Sequence, residues 1–204
     1  MSNGLRIPAL ALIGATVLTL GACDSADTTT PSDVLAPIGN AEITRHGTIS
    51  ASREQNTQLA DLRQVTARFH DIEAAKDAGY EAQVTVCWAH SSAGAMGYHY
   101  GKLPFDATVD LLEPELLMYE PQPGGHARLV GMEYVVPFAA WAEAGHDLND
   151  PDDVPELLGQ KFTPHSILPI FKLHIWLWRN NPEGMFEDWN PKVSCEHAAE
   201  TEVF

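Results

Sequence analysis

Glu115-Leu116-Leu117-Met118-Tyr119-Glu120, then Pro121-Gln122-Pro123-Gly124-Gly125, then, past His126, Ala127-Arg128-Leu129-Val130-Gly131-Met132-Glu133-Tyr134-Val135-Val136 is the stretch on which the fold turns. Two runs rich in apolar and aromatic residues flank a proline- and glycine-rich segment. Proline presets φ for a turn and glycine supplies positive φ, so the middle is a turn and the flanks are strands. Glu115–Glu120 and Ala127–Val136 are therefore expected to form a hairpin. Further strands are expected at Gln83–Trp88, Gly97–Tyr100 and Leu173–Trp178, which are rich in Val, Tyr, Trp and Ile.

Upstream the period changes. Ser52-Arg53-Glu54-Gln55 matches a capping box, and Leu59, Leu62, Val65, Phe69 and Ile72 recur at threes and fours. Gly79 supplies a stop. A single amphipathic helix is expected from about Ser52 to Ala78, with its apolar face on the sheet. Phe138–Gly145 reads as a short helix, and Asn149–Pro155 as an acidic loop. Asn180–Pro191 mixes aromatic and acidic residues without a clean period. The expected class is α+β, a long N-terminal helix packed on a mostly antiparallel sheet.

The first residues carry a different grammar. Arg6 is followed by an apolar run to Leu20 and then by Leu20-Gly21-Ala22-Cys23. This resembles a bacterial lipoprotein signal. Residues 1–22 are then the signal peptide, and acyl chains on Cys23 anchor the mature protein to a membrane outside the cytoplasm. An ordinary secretory signal or a membrane span are the other readings, and the run is short for a span. Residues 23–50, with Thr28-Thr29-Thr30, Pro31 and Pro37, read as a flexible tether, and residues 51–204 as one domain.

The chain holds 28 acidic against 12 basic residues, a formal charge of -16. That argues against phosphate binding, which needs clustered cations, so no nucleic-acid partner is expected, and no electrostatic docking on anionic lipid. With Cys23 lipidated, Cys87 and Cys195 remain as an even pair in an oxidising compartment. A structural disulfide between them is expected. The alternative is two thiolates acting as metal or redox ligands, although no CxxC accompanies them.

Strand parity then picks out four ionisable residues in apolar strands. His99 faces away from Tyr98 and Tyr100. Glu133 shares a face with Leu129, Gly131 and Val135. His174 shares one with Trp176 and Trp178, and Glu120 lies with Leu116 and Met118. A buried charge or imidazole is costly unless partnered. One economical solution is a shared ion, since two imidazoles with one or two carboxylates suit zinc, iron, manganese or copper. The other is a set of His–Glu hydrogen bonds or a solvent-facing sheet. His90 and His165 are secondary ligand candidates from loops, and Trp176 and Trp178 offer an apolar platform or simply core. No GxSxG elbow, Walker loop or GxGxxG is present, so acyl, phosphoryl and hydride transfer have no warrant here.

Taken together, Gly94-Ala95-Met96-Gly97-Tyr98-His99-Tyr100, Pro114–Pro121, Arg128–Tyr134, His174-Ile175-Trp176-Leu177-Trp178, Asn181–Phe186 and Trp189-Asn190-Pro191 resemble a family of exported bacterial proteins of unknown function. The likeness runs from about Val65 to Cys195 and implies an address rather than an activity. A shorter stretch, including the Arg128–Tyr134 strand, is similar to plant oil-body-associated proteins and is too short to carry function. The functional expectation is a lipid-anchored envelope protein that binds a metal ion or small ligand. The alternatives are a metal-dependent hydrolase or oxygenase, and a structural envelope lipoprotein without a site.

Overall fold

The computed structural model describes residues 41–204, with side chains from Arg53 onward. The expected signal peptide, Cys23 and the part of the expected tether up to residue 40 lie outside the described residues. Helix α1 (Ala41–Thr66) runs into a 3-10 turn (Ala67–His70) and then α2 (Ile72–Asp77). The expected single helix is thus broken. The Asp71 carboxylate accepts from the Glu73 amide and caps α2, which its extended backbone allows. Leu59, Leu62 and Phe69 are buried as the period requires, and Gly79 ends the helical stretch at φ +100°.

From there the chain is β. Strands β1 (Ala82–Gln83), β2 (Cys87–His90), β3 (Gly94–Gly101), β4 (Leu116–Pro121) and β5 (Ala127–Pro137) are followed by the short helix α3 (Phe138–Glu143). Next come β6 (Glu156–Leu157), β7 (Gln160–Lys161), β8 (Thr163–Pro164), β9 (Ile170–Ile175) and β10 (Thr201–Val203). One eight-stranded sheet has the order β10-β2-β3-β4-β5-β9-β8, with β1 on β3, and β6-β7 form a separate ribbon. Every pairing is antiparallel except β10 on β2.

This corrects the α+β expectation. The described chain is mostly β, its sheet curled into a half-barrel, with one long helical segment behind it. The helical pattern ends at Gly79, and beyond it only α3 is α-helical among the described residues. The Pro123–Gly125 hairpin turn forms as expected, with Gly124 at φ 75° and Gly125 at φ 79°.

Leu59, Leu62 and Phe69 pack with Leu117, Tyr119, Leu129, Met132, Tyr134 and Ile175 in the main core. On the other face Ala95, Met118, Val130, Trp176 and Val193 form a smaller cluster. Leu129 therefore does not share a face with Glu133, as simple parity predicts. The β4–β5 register passes from Met118↔Gly131 to Tyr119↔Leu129, so Val130 is an extra, bulged residue. A bulge inverts the alternation on one side of itself and bends the strand. Gly97 marks a close crossing, since at φ +92° a Cβ there would fall 2.3 Å from the Tyr119 carbonyl oxygen.

Candidate metal centre

His99, Glu133 and His174 come from β3, β5 and β9. Glu133 pairs directly with His174, whereas His99 pairs with Met118 on the intervening β4. In a flat sheet β3 and β5 would stand about 9.5 Å apart, twice the strand spacing. The curl turns their inward side chains toward one point. His99 Nε2 lies 3.4 Å from Glu133 Oε2, and His174 Nε2 lies 3.4 Å from Glu133 Oε1. One donor atom from each residue falls within 4.8 Å of the other two, and all three residues are buried. Neither Nε2 has a hydrogen-bond partner among the described residues, since both contacts to Glu133 miss hydrogen-bond geometry.

The outer nitrogens are occupied. The amide of Val84 donates to the His99 carbonyl, which brings Thr85 beside the ring. Thr85 Oγ1 lies 2.8 Å from His99 Nδ1 and accepts from the His99 amide at 3.2 Å. On the other side Trp176 holds the 185–188 segment: its amide donates to Met185 O at 2.9 Å and its indole N–H to Glu187 O at 2.6 Å. That sets Asp188 Oδ1 3.2 Å from His174 Nδ1. Lys172, buried and two residues before His174 on the same strand, ion-pairs with the same carboxylate. The rings of Trp88 and Trp176 lie 5.7 and 6.2 Å from those of His99 and His174.

Burial governs the charges. It pushes the His99 imidazole from 6.5 to about 3, with further repulsion from His174 and His165. It pushes the Glu133 carboxyl up, against the attraction of His174 and Lys172. Burial works the same way on Asp188. There the hydrogen bonds and charges of His174 and Lys172 prevail, and the carboxyl sits well below its ordinary value.

The remaining sequence candidates lie elsewhere. Glu120 does not join the three. Arg128 Nη1 lies 3.3 Å from Oε2 and the Ser194 amide donates to Oε1 at 3.2 Å, so this buried carboxylate is already partnered. His90 Nδ1 accepts from the amides of Ser92 and Ala93, and His165 Nδ1 from those of Ile167 and Leu168, all at 3.1 Å. An imidazole that accepts at Nδ1 keeps its proton on Nε2 and has no lone pair left for a metal. Trp178 does not share the His174 face. β9 ends at Ile175, and the indole turns to the helix side, where it donates to Thr66 Oγ1 at 3.3 Å.

Sequence reasoning missed Thr85, Lys172 and Asp188. Lys172 carried a usable signal, a cation at i−2 from His174 and so on the same strand face. Thr85 and Asp188 sit on aperiodic segments, where parity gives no direction. Cys87 and Cys195 are at disulfide distance, with Cα atoms 5.8 Å apart. No helix among the described residues is long and apolar enough to cross a membrane. No family model matches the chain, and neither a curated protein nor a solved structure matches it.

Proposed function

We propose that this chain is a lipid-anchored cell-envelope protein that binds a divalent transition metal ion through His99, Glu133 and His174. The observation that carries the metal reading is the pair of buried imidazole nitrogens that face one buried carboxylate and have no hydrogen-bond partner. Each such atom costs about 1–3 kcal/mol if left unsatisfied. An ion between them would satisfy both nitrogens and neutralise the carboxylate at once. Two imidazoles and a carboxylate suit zinc, iron or manganese, and copper less narrowly. A small organic ligand does not fit between the three donor atoms, which lie within 4.8 Å of one another. The anchor rests on Leu20-Gly21-Ala22-Cys23, and the resemblance to exported bacterial proteins fits the same address.

A second reading, a metal-assisted hydrolase or oxygenase, is favoured by the number of donors. Three protein ligands leave a tetrahedral ion with one open position, as catalytic zinc and non-haem iron sites have.

Elemental analysis of the purified full chain tests the metal. About one transition-metal ion per chain is expected, and His174→Ala should hold none. A wild-type chain that takes up neither zinc nor cobalt(II) on titration would sink the reading. Fractionation tests the anchor: Cys23→Ser should move the protein from the membrane to the soluble fraction, because acyl chains supply the attachment. Retention on membranes after a high-salt wash would count against it.

A further inference from the structure

We infer that Asp188 is the positioning residue of this centre, holding the His174 proton on Nδ1 and thereby turning the Nε2 lone pair toward Glu133. This rests on the metal reading above and deepens it, by assigning the side chain that makes one ligand ready before the ion arrives. A carboxylate only accepts hydrogen bonds, so the His174 nitrogen 3.2 Å from Asp188 Oδ1 is the one that carries hydrogen. A neutral ring has a single N–H, and Nε2 is then bare. It faces Glu133 Oε1 at 3.4 Å, one acceptor against another, an arrangement that a cation between them relieves. Lys172 keeps Asp188 in place. Its side chain is only 6% exposed, and it pairs with Asp188 and also reaches Thr163 Oγ1 at 3.4 Å. The Lys172–Asp188 pair adds no net charge to the centre.

His99 is built differently. Its outer nitrogen meets the Thr85 hydroxyl, which can donate to a bare Nδ1 or accept from a protonated one. The centre therefore has one committed donor, His174, and one adjustable donor, His99. Asp188 is also the member nearest water. Its side chain is 45% exposed and borders an open cleft of about 810 Å³ together with Phe186 and Trp189. It can therefore be changed without emptying the core.

Carboxylates behind metal-bound histidines are worth roughly 10–100-fold in metal affinity. Asp188→Asn and Asp188→Ala should weaken cobalt(II) binding by that factor and shift the visible spectrum of the bound ion. In Lys172→Met/Asp188→Asn the charge pair goes together. A loss that persists there belongs to the carboxylate on His174, not to a stranded lysine. Nitrogen-15 shifts of the metal-free protein give an independent readout. His174 should be protonated on Nδ1 in the wild type and should lose that proton to Nε2 in Asp188→Ala. A bare Nδ1 in the wild type, a Nδ1 proton that survives Asp188→Ala, or cobalt affinities within threefold of wild type in both variants would overturn the assignment. A wild-type chain that binds no cobalt would instead defeat the metal reading, and the nitrogen shifts would still decide what Asp188 does.

Discussion

On the helix-backed face of the sheet every buried phenol finds a carbonyl. Tyr119 donates to Phe69 O at 2.7 Å, Tyr134 to Leu111 O at 2.6 Å and Tyr80 to Pro114 O at 2.8 Å. On the opposite face His99 and His174 each present a buried nitrogen that nothing among the described residues satisfies. The three phenols and the two imidazoles are all buried. The helix side is thus complete as a piece of protein, whereas the opposite side brings together three groups that could hold a cation. A buried polar atom is tolerated where it is paired, so a pair of unpaired ones facing one carboxylate is informative.

The sharpest way to separate the faces is to damage the self-sufficient one. Leu117 is fully buried on the helix side among Leu62, Tyr119 and Met132. Leu117→Ala should cost about 2–5 kcal/mol of unfolding free energy, the transfer and cavity terms together. Metal affinity of the folded fraction should stay at the wild-type value, because Leu117 points away from the three donors. Urea titration gives the first quantity and cobalt(II) titration the second. A loss of metal binding under conditions where the variant is folded would show that the two faces are not independent.

Glu115, just before β4, asks whether burial alone unsettles a carboxylate that does have a partner. Its Oε2 accepts from the Val135 amide at 3.2 Å, yet burial raises its pKa from 4.5 to about 7, against the help of that bond. Between those pH values the folded state retains a proton that the unfolded state has released. Stability from this group is therefore fully present below pH 4.5 and falls as pH rises toward 7. The slope is at most about 1.4 kcal/mol per pH unit, and the total at most about 3 kcal/mol, since the side chain keeps some contact with water. Glu115→Gln should remove most of this dependence. Urea midpoints of both proteins at pH 5 and pH 7.5 test it, and parallel pH dependence in the two would refute it.

The hairpin and the three converging donors were legible because a strand has a strict period of two. An ionisable residue among Leu, Met, Val and Trp stands out against that period. What escaped detection lay where the period breaks. Val130 adds a bulge that no residue type announces, and it moved Leu129 to the helix side. The aromatic run through Trp178 continues past Ile175, where β9 ends, so parity failed there too. Glu120 looked like a ligand because its partners were hidden. Arg128 was readable from the hairpin register, but the Ser194 amide comes from far along the chain. The curl that brings β3 to β5 belongs to the whole sheet, and no strand carries it alone. That is why the helix and strands could each be read while their sum was misjudged as α+β.

The smallest expected change in stability is also the one that most directly tests the contrast between the faces. Glu133→Gln keeps the shape of the side chain and replaces a buried carboxyl with an amide. Its N–H can donate to the His174 Nε2, which has no partner among the described residues. The amide also removes a group that burial disfavours when charged. Without metal, the variant should therefore unfold within about 1 kcal/mol of wild type at neutral pH, with any difference toward greater stability. With metal the order reverses. A ligand at a hundred times its dissociation constant stabilises the folded state by about 2.7 kcal/mol, and the variant, lacking the anionic donor, should gain almost none of this. Urea unfolding of both proteins with and without cobalt(II) supplies the four numbers. If Glu133→Gln alone, in the absence of metal, costs several kcal/mol, then Glu133 is already an essential partner of the two imidazoles. The concave face would then be as self-contained as the helix-backed one.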